Sequence, residues 1–441
     1  MTKNGSAVLI VFLFIFPILI PIQLTTAESM NTIYVDDDNI WGPWDGTMQH
    51  PFRYIQDGID SATVGDTVFV FEGTYTENVM INKSIILRGE DKNITVLNPL
   101  DTDCEAIAIE TNEVNIKNFR LSEGQVGINI VNSSNIFITK NIIEYNVRGI
   151  TIYSSDSVYI ECNVIKDNEA FGIYSYLPSS NIIFNNLIEN NSHGIYSLFS
   201  HSLSTNYIRE NIIKNNEDDG IDISRSSNNI IENCTITHNE IGIQVDGGNN
   251  NIINNHISYN ELYGIDVGGY CSTFVSNICS YNSIGIFLSG WKQTVRENRI
   301  TFNKKVGLKS SGHHDKISNN LIRFNYGDGL SLSGAHFEKV FSNSITDNDG
   351  YGIFLTYTWP PKGIPSLGLR NKIRCNNIVD NNESAYFILN YLTRWNGNYW
   401  GEEVKKPYVI HGDLSRENFP WINYDWHPAQ EPYDIGGGGY E

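Results

Sequence analysis

The chain has 441 residues with 50 acidic against 30 basic side chains, a net charge of −20. So few Lys and Arg cannot displace counterions from phosphates, which excludes an electrostatic nucleic-acid binder and disfavours adhesion to anionic lipid. Charged residues are only 18%, hydrophobic residues are 40%, and there are 55 Asn. Regular Ile among the Asn excludes a disordered polar tract.

Residues 1–27 read as a secretory signal. Lys3 supplies the positive start, and Ala7 to Ile20 is an apolar stretch of fourteen, too short to span a bilayer comfortably. Thr25, Thr26 and Ala27 are small enough for cleavage before Glu28; a retained N-terminal anchor is the alternative. No later segment reads as a transmembrane helix. The mature chain is therefore expected to be exported, either secreted or at the cell surface, with no membrane span.

Residues 28–63 read as an N-terminal strand and a capping helix. Pro51 suits a first helical position, and Phe52, Ile55, Ile59 and Ala62 recur at helical spacing. Residues 66–71 and 84–88 are the first strands.

Residues 64–394 form a repeat. A Gly followed by Ile or Leu occurs eleven times from Gly127 to Gly352, at steps of 21 to 26 residues. Two Asn columns keep the period. One runs from Asn141 through Asn185 and Asn233 to Asn376, the other from Asn146 through Asn190 to Asn348. Apolar residues alternate between the columns, which indicates strands of three to five residues and rules out helix. A coil of about 22 residues makes three short strands and three turns. Gly takes a turn position needing positive φ or close packing, and Asn tolerates the left-handed region while its amide hydrogen-bonds along a stack. The fold predicted is all-β: a single right-handed parallel β-helix with a short N-terminal capping helix. Residues 395–441, rich in Trp and Tyr, read as a C-terminal cap and tail. A four-residue insertion follows Gly194, and a longer one around Thr356–Gly368 carries Trp359.

Six Cys show no metal-binding spacing. Cys271 and Cys279 are the close pair; export permits a disulfide there, and burial as small hydrophobes is the alternative. Glycosylation sequons stand at Asn82, Asn93, Asn132, Asn190, Asn233 and Asn382.

Several motifs carry a family likeness. Ile33-Tyr-Val-Asp-Asp-Asp38, Tyr54-Ile-Gln-Asp-Gly-Ile59, Val64-Gly-Asp-Thr67, Glu72-Gly-Thr-Tyr-Thr-Glu-Asn78 and Ile81-Asn-Lys-Ser-Ile85 resemble the opening of exported NosD-like right-handed β-helix proteins. The later rungs resemble the carbohydrate-binding and sugar-hydrolysis (CASH) repeats of that group. Gly397-Asn-Tyr-Trp400 and Lys406-Pro-Tyr-Val-Ile410 look like the closing segment of its archaeal and bacterial surface members. The resemblance covers residues 33 to about 426. It implies the fold and export, and a spread of activities: maturation factors for copper enzymes, surface proteins, and relatives of alginate epimerases and pectate lyases.

The residues narrow that spread. A soft copper site wants Met, Cys and His together. There are four Met and scattered His; the dense spot His313-His314-Asp315 reads as a solvated turn. No metal site is expected, although calcium could bridge an acidic glycan. Glycoside hydrolysis needs two carboxylates across a sugar. The catalytic candidates are Asp218, Asp219 and Asp222 with His193. Asp219 and His193 each precede a repeat Gly, so they share a column one rung apart; Asp222 and Asp266 share another, two rungs apart, at an outward-facing position. Asp-Asp and His-Gly look superficially like pieces of the polygalacturonase set, in a different order. Ligand-binding candidates are Tyr153, Tyr174, Tyr176 and Trp359, with Tyr196 and Phe199 beside them as an aromatic flank for sugar stacking. The leading expectation is a structural or carbohydrate-recognition protein of the cell surface with a polysaccharide or surface glycan as partner. The alternatives are a polysaccharide lyase, epimerase or glycosidase, and a maturation factor for a copper enzyme.

Overall fold

The computed structural model describes residues 31–199, 205–356, 370–390, 392–401, 404, 407–413 and 419–435. The expected signal segment and Trp359 lie outside the described residues. Among the described residues no helix is long and apolar enough to cross a membrane.

Each coil contributes three strands, for example Val126–Val131, Ser134–Thr139 and Ile142–Glu144. Each pairs in parallel with its equivalent one coil on, with Ile128 beside Ile150, Ile136 beside Val158 and Ile143 beside Ile165. The sheet that includes Ile142–Glu144 has 14 strands, so the rod is about 60 Å long at the usual strand spacing. Strand alternation turns one Ile of each coil inward onto the same Ile of the next. Ile128, Ile150, Ile173, Ile195 and Ile221 all have 0% exposure.

Three corners join the strands, and all three use one device. A residue in the left-handed region turns the chain, then a buried polar residue ties the coil to its neighbours. In one coil the turning residues are Asn132 (φ 48°), Lys140 (φ 57°) and Tyr145 (φ 57°). The ties that follow are Ser133, Asn141 and Asn146, all buried. An Asn tie works as a relay. The backbone N–H and the side-chain amide of Asn255 both donate to Asn277 Oδ1, at 3.0 Å each. Asn277 in turn donates to the Ile252 carbonyl at 2.8 Å.

This register corrects the two Asn columns at three places. Asn185, Asn190 and Asn233 are the turning residues, with φ of 52°, 55° and 56°, and they are exposed. The ties are Asn186, Asn191 and Cys234. The third turn was expected, but not the stack of buried residues at it. Its ties run through Asn229, Asn250, Ser272, Gln293 and Asp315; Asn229 accepts the Asn206 side-chain amide, and each of the other four accepts a backbone N–H from the coil before.

Of the two reasons expected for the repeat Gly, close packing holds. A Cβ on Gly242 would lie 2.5 Å from the Gly264 carbonyl oxygen and 2.5 Å from Ile257 Cγ2. The N-terminal helix spans Ile55–Ser61, so Pro51 precedes it by a turn. Glu77 caps it instead, accepting from the Ile55 and Gln56 N–H groups at 2.8 and 2.9 Å. At the other end, Tyr408–Asp413 and Pro420–Asp425 form an antiparallel hairpin on the last coil. Trp395 and Trp400 are buried beneath it. Asp425 ends one Asn stack as a pure acceptor, taking the Gly397 N–H at 3.0 Å and the Asn398 N–H at 2.9 Å.

All six Cys are free thiols. Cys234 and Cys279 are fully buried, whereas Cys271 sits on an exposed corner. The six sequon asparagines are all exposed.

Candidate functional site

Two geometric facts build the site. Outward-facing residues of successive coils stack in register, so one column runs Thr151, Tyr174, Tyr196, Asp222, Gln244, Asp266, Phe287. The strand also bends at the repeat Gly, which is skipped in the pairing. The residue before Gly and the third residue on therefore share the outer face. Phe171 and Tyr174 show this, with ring centroids 5.2 Å apart. The same bend brings Asp219 beside Asp222.

The four catalytic candidates come together. His193 Nε2 is 3.5 Å from Asp218 Oδ2, and its Nδ1 is 3.7 Å from Asp219 Oδ2. Asp218 accepts the Ser192 hydroxyl at 2.7 Å. Asp222 faces away from the coil interior as expected, yet it is only 6% exposed because its neighbours on that face cover it. Burial pushes the Asp219 carboxyl up to about 7, reinforced by the charges of Asp222, Asp218, Glu240 and Asp266. Burial also raises Asp222, against the bonds from Ser224 and the charge of His193 that hold it down. Asp266 is pushed up to about 6 by burial, with the charge of Asp246 adding to it. Loss of water disfavours each carboxylate, and its neighbours are carboxylates too.

Aromatic rings wall one side. Phe171 stacks on His193 at 5.2 Å, and Tyr174 on Tyr196 at 6.0 Å with planes 10° apart. Tyr153 and Tyr176 stack likewise at 5.2 Å. The faces of Tyr153, Tyr174 and Tyr176 are thus engaged with neighbouring rings in these stacks. Tyr196 differs, since the next residue of its column is Asp222 rather than a ring. On the far side Tyr263 and Phe287 stack at 5.4 Å. Arg225, near the insertion after Gly194, stands over Phe199 at 5.8 Å.

Sequence reasoning missed Asp246, Glu240 and Phe171. Each lies on a neighbouring coil, and the signal for them is the column arithmetic carried one rung further. A cavity of about 690 Å³ lies elsewhere, at the C-terminal cap, lined by Tyr386, Asp413 and Trp421 among others.

A parallel β-helix with an acidic, histidine-bearing and aromatic flank is the class these features define. The chain belongs to the NosD family, described as periplasmic copper-binding protein, whose model matches residues 59–261 and 263–425. A cell surface glycoprotein of Methanothermus fervidus is 35% identical over 95 residues, covering 21% of this chain and 16% of that protein. Among solved structures, the Dettilon tailspike protein aligns with a TM-score of 0.55 at 15% identity, over 73% of this chain and 68% of that one. A mutant of the periplasmic alginate epimerase AlgG aligns with a TM-score of 0.40 at 14% identity, over 71% of this chain and 74% of that one.

The family description implies copper, and the described residues do not fit it. Among them no group of three or more His, Cys, Asp or Glu is arranged to hold a metal ion. The His313 and His336 rings are 4.7 Å apart, but Met48 and Met80 are exposed at the N-terminal end of the rod. The soft donors copper favours are not assembled.

Proposed function

We propose that this protein is an exported β-helix rod of the cell surface whose flank between Gly172 and Gly264 recognises glycan. The observation that carries the reading is the convergence of His193, Asp219 and Asp222 with the rings of Phe171, Tyr174 and Tyr196 on one outer face. Carboxylates and imidazole give sugar hydroxyls both acceptors and donors, and rings supply apolar contact. Export is supported by the periplasmic description of the family and by the surface glycoprotein relative. The direct test is calorimetry with a panel of neutral and charged oligosaccharides, repeated on Asp222→Asn. Binding that the variant loses while it still unfolds in a cooperative melt supports the reading; binding untouched by the variant moves the site elsewhere.

One observation favours a second reading, in which the same face is catalytic. Asp219 holds its proton near neutrality and sits beside Asp222, as an acid and its charged partner do in glycoside hydrolysis. Asp222 and Asp266, two rungs and so about 9–10 Å apart, offer a wider pair. New anomeric or unsaturated signals by NMR, abolished in Asp219→Asn, would establish an enzyme; unchanged polymers would leave recognition.

A further inference from the structure

The charge of this face sets what glycan it takes. Asp218, Asp219, Asp222, Glu240, Asp246 and Asp266 all belong to three successive coils. Asp222 and Asp266 stand in one outward column on either side of Gln244, and Asp246 reaches the coil of Asp266, where a Cβ on Gly268 would lie 2.7 Å from its Oδ1; its charge accordingly helps to raise both Asp222 and Asp266. The facing phenols of Tyr196 and Tyr263 are pushed up by burial and then by Asp222 and Asp266 respectively. The His193 imidazole lies between Asp218 and Asp219, and the Arg225 guanidinium stands over Phe199. Lys309 lies beyond the far aromatic wall, over Phe287. The centre is therefore a carboxylate field bordered along the rod by Tyr196 on one side and Phe287 on the other.

We propose that this flank is built for a glycan carrying amino groups, lying along the rod with its ammonium groups over Asp222, Asp246 and Asp266. The inference rests on the glycan-binding reading above. Charge complementarity decides the class. A uronate chain would bring carboxylates onto carboxylates, at a cost that only a bridging cation could offset. A neutral chain would leave the acids to one another. An ammonium would relieve the repulsion, and the bordering rings and column spacing suit a polymer whose repeat is close to one strand spacing. Because burial, reinforced by neighbouring carboxylates, raises Asp219 and Asp266, pairing with ammonium should expel protons, so affinity should rise with pH through the range where these carboxyls ionise and the amine is still charged.

The test is calorimetry of the whole exported chain with glucosamine oligomers, the N-acetylated oligomers of the same length, oligouronates with and without calcium, and an oligolysine of equal charge. The expected order is amino sugar first, by about tenfold over the N-acetylated form, with uronate last. The preference should shrink on raising salt to about 0.2 M. Titrations in buffers of different ionisation heat should show proton release. Asp246→Asn combined with Asp266→Asn should bring the amino and N-acetylated forms to near parity without loss of the folded melting transition; Asp246 is exposed, so Asp246→Asn alone, at reduced effect, guards against misfolding of the pair. Equal affinity for both sugar forms would overturn the charge argument and leave glycan recognition standing. Tightest binding of calcium-loaded uronate would overturn it in favour of a bridged anion. Oligolysine binding as tightly as the amino sugar would overturn the glycan part. Failure of every sugar would remove the recognition reading along with this one.

Discussion

Glu338→Gln should make the protein more stable, and increasingly so as pH rises. Glu338 and Asp315 are consecutive ties of the third corner, each with 0% exposure. Asp315 Oδ1 accepts the Gln293 N–H at 2.8 Å, and the Glu338 N–H donates to Asn371 Oδ1 at 2.9 Å. Neither oxygen of the Glu338 carboxyl has a hydrogen-bond partner. The Asp315 N–H faces it without closing a bond. Where two Asn meet in this stack, an amide bridges the coils, as Asn229 does to Asn250 at 3.0 Å. Two carboxylates have no such hydrogen, so a bound proton must serve. Burial and the charge of Asp315 accordingly push Glu338 well above the usual carboxyl range, and burial does the same to Asp315. In the unfolded chain both ionise near pH 4. From there upward the folded chain holds more protons than the unfolded one, so this pair makes stability fall as pH rises towards the folded values. Gln supplies a permanent hydrogen. By the register of Gln293, whose side chain donates to the Gly269 carbonyl, it should reach the Gly312 carbonyl. Satisfying a buried polar group that now lacks a partner is worth about 1–3 kcal/mol. Urea melts of both proteins at a series of pH values isolate the effect, because the raised carboxyls of Asp219, Asp222, Asp266 and Asp328 contribute equally to both and cancel in the difference. A stability difference that stays constant from mildly acid to alkaline pH would refute the retained proton.

Three further outcomes are expected. Gly242→Ala should lower stability by about 1–3 kcal/mol in the same melts, because its Cβ meets the Gly264 carbonyl and Ile257, both fixed by the next coil. Asn277→Ala strands the Asn255 donors and the Ile252 carbonyl, a loss of about 3 kcal/mol; Asn233→Ala at an exposed corner should cost about 1 kcal/mol for its left-handed backbone alone. Equal costs would put Asn233 back in the stack. With a thiol reagent at neutral pH, exposed Cys271 should react at once, while Cys279 and Cys234, whose thiols burial pushes up (Cys234 to about 12), should wait for unfolding.

The repeat was legible because two of its positions admit almost one residue each. Gly is required where a Cβ would strike the next coil, and Asn where a side chain must both accept and donate. The register of the Asn columns was one residue uncertain for the same reason it was visible. Asn also suits the left-handed turn, so Asn185-Asn186 and Asn190-Asn191 present the same letter in opposite roles, one exposed and one buried. Only the hydrophobic alternation that follows separates them, since two residues past a tie the side chain points inward, as Ile143 does after Asn141. The stack at the third corner was illegible because Ser, Asn, Gln, Asp and Glu have little in common beyond an oxygen that can accept a hydrogen bond. The His193–Asp219 column was readable from the Gly spacing. The approach of Asp219 to Asp222 was not, since it depends on the bend at Gly220.

The two acidic clusters obey one rule and differ in which side of the strand they occupy. In a parallel stack, every side chain has its nearest neighbours in the coils before and after, so like charges placed in adjacent coils are held together whatever the local sequence prefers. Inside the corner, at Asp315 and Glu338, no solvent or ligand can answer the charge, and a proton must be kept for the coil to close. On the outer face, at Asp219, Asp222 and Asp266, neighbouring side chains bury the carboxyls too, but the face opens to solvent at Asp246, which is exposed. The free energy stored in this crowding is available to whatever cation displaces the protons. Inside, then, the crowding is a liability that an amide removes, whereas outside it is a source of affinity that an amide should abolish. Comparing Glu338→Gln with Asp266→Asn tests this directly: the first should raise stability with no effect on binding, and the second should lower binding of the amino sugar.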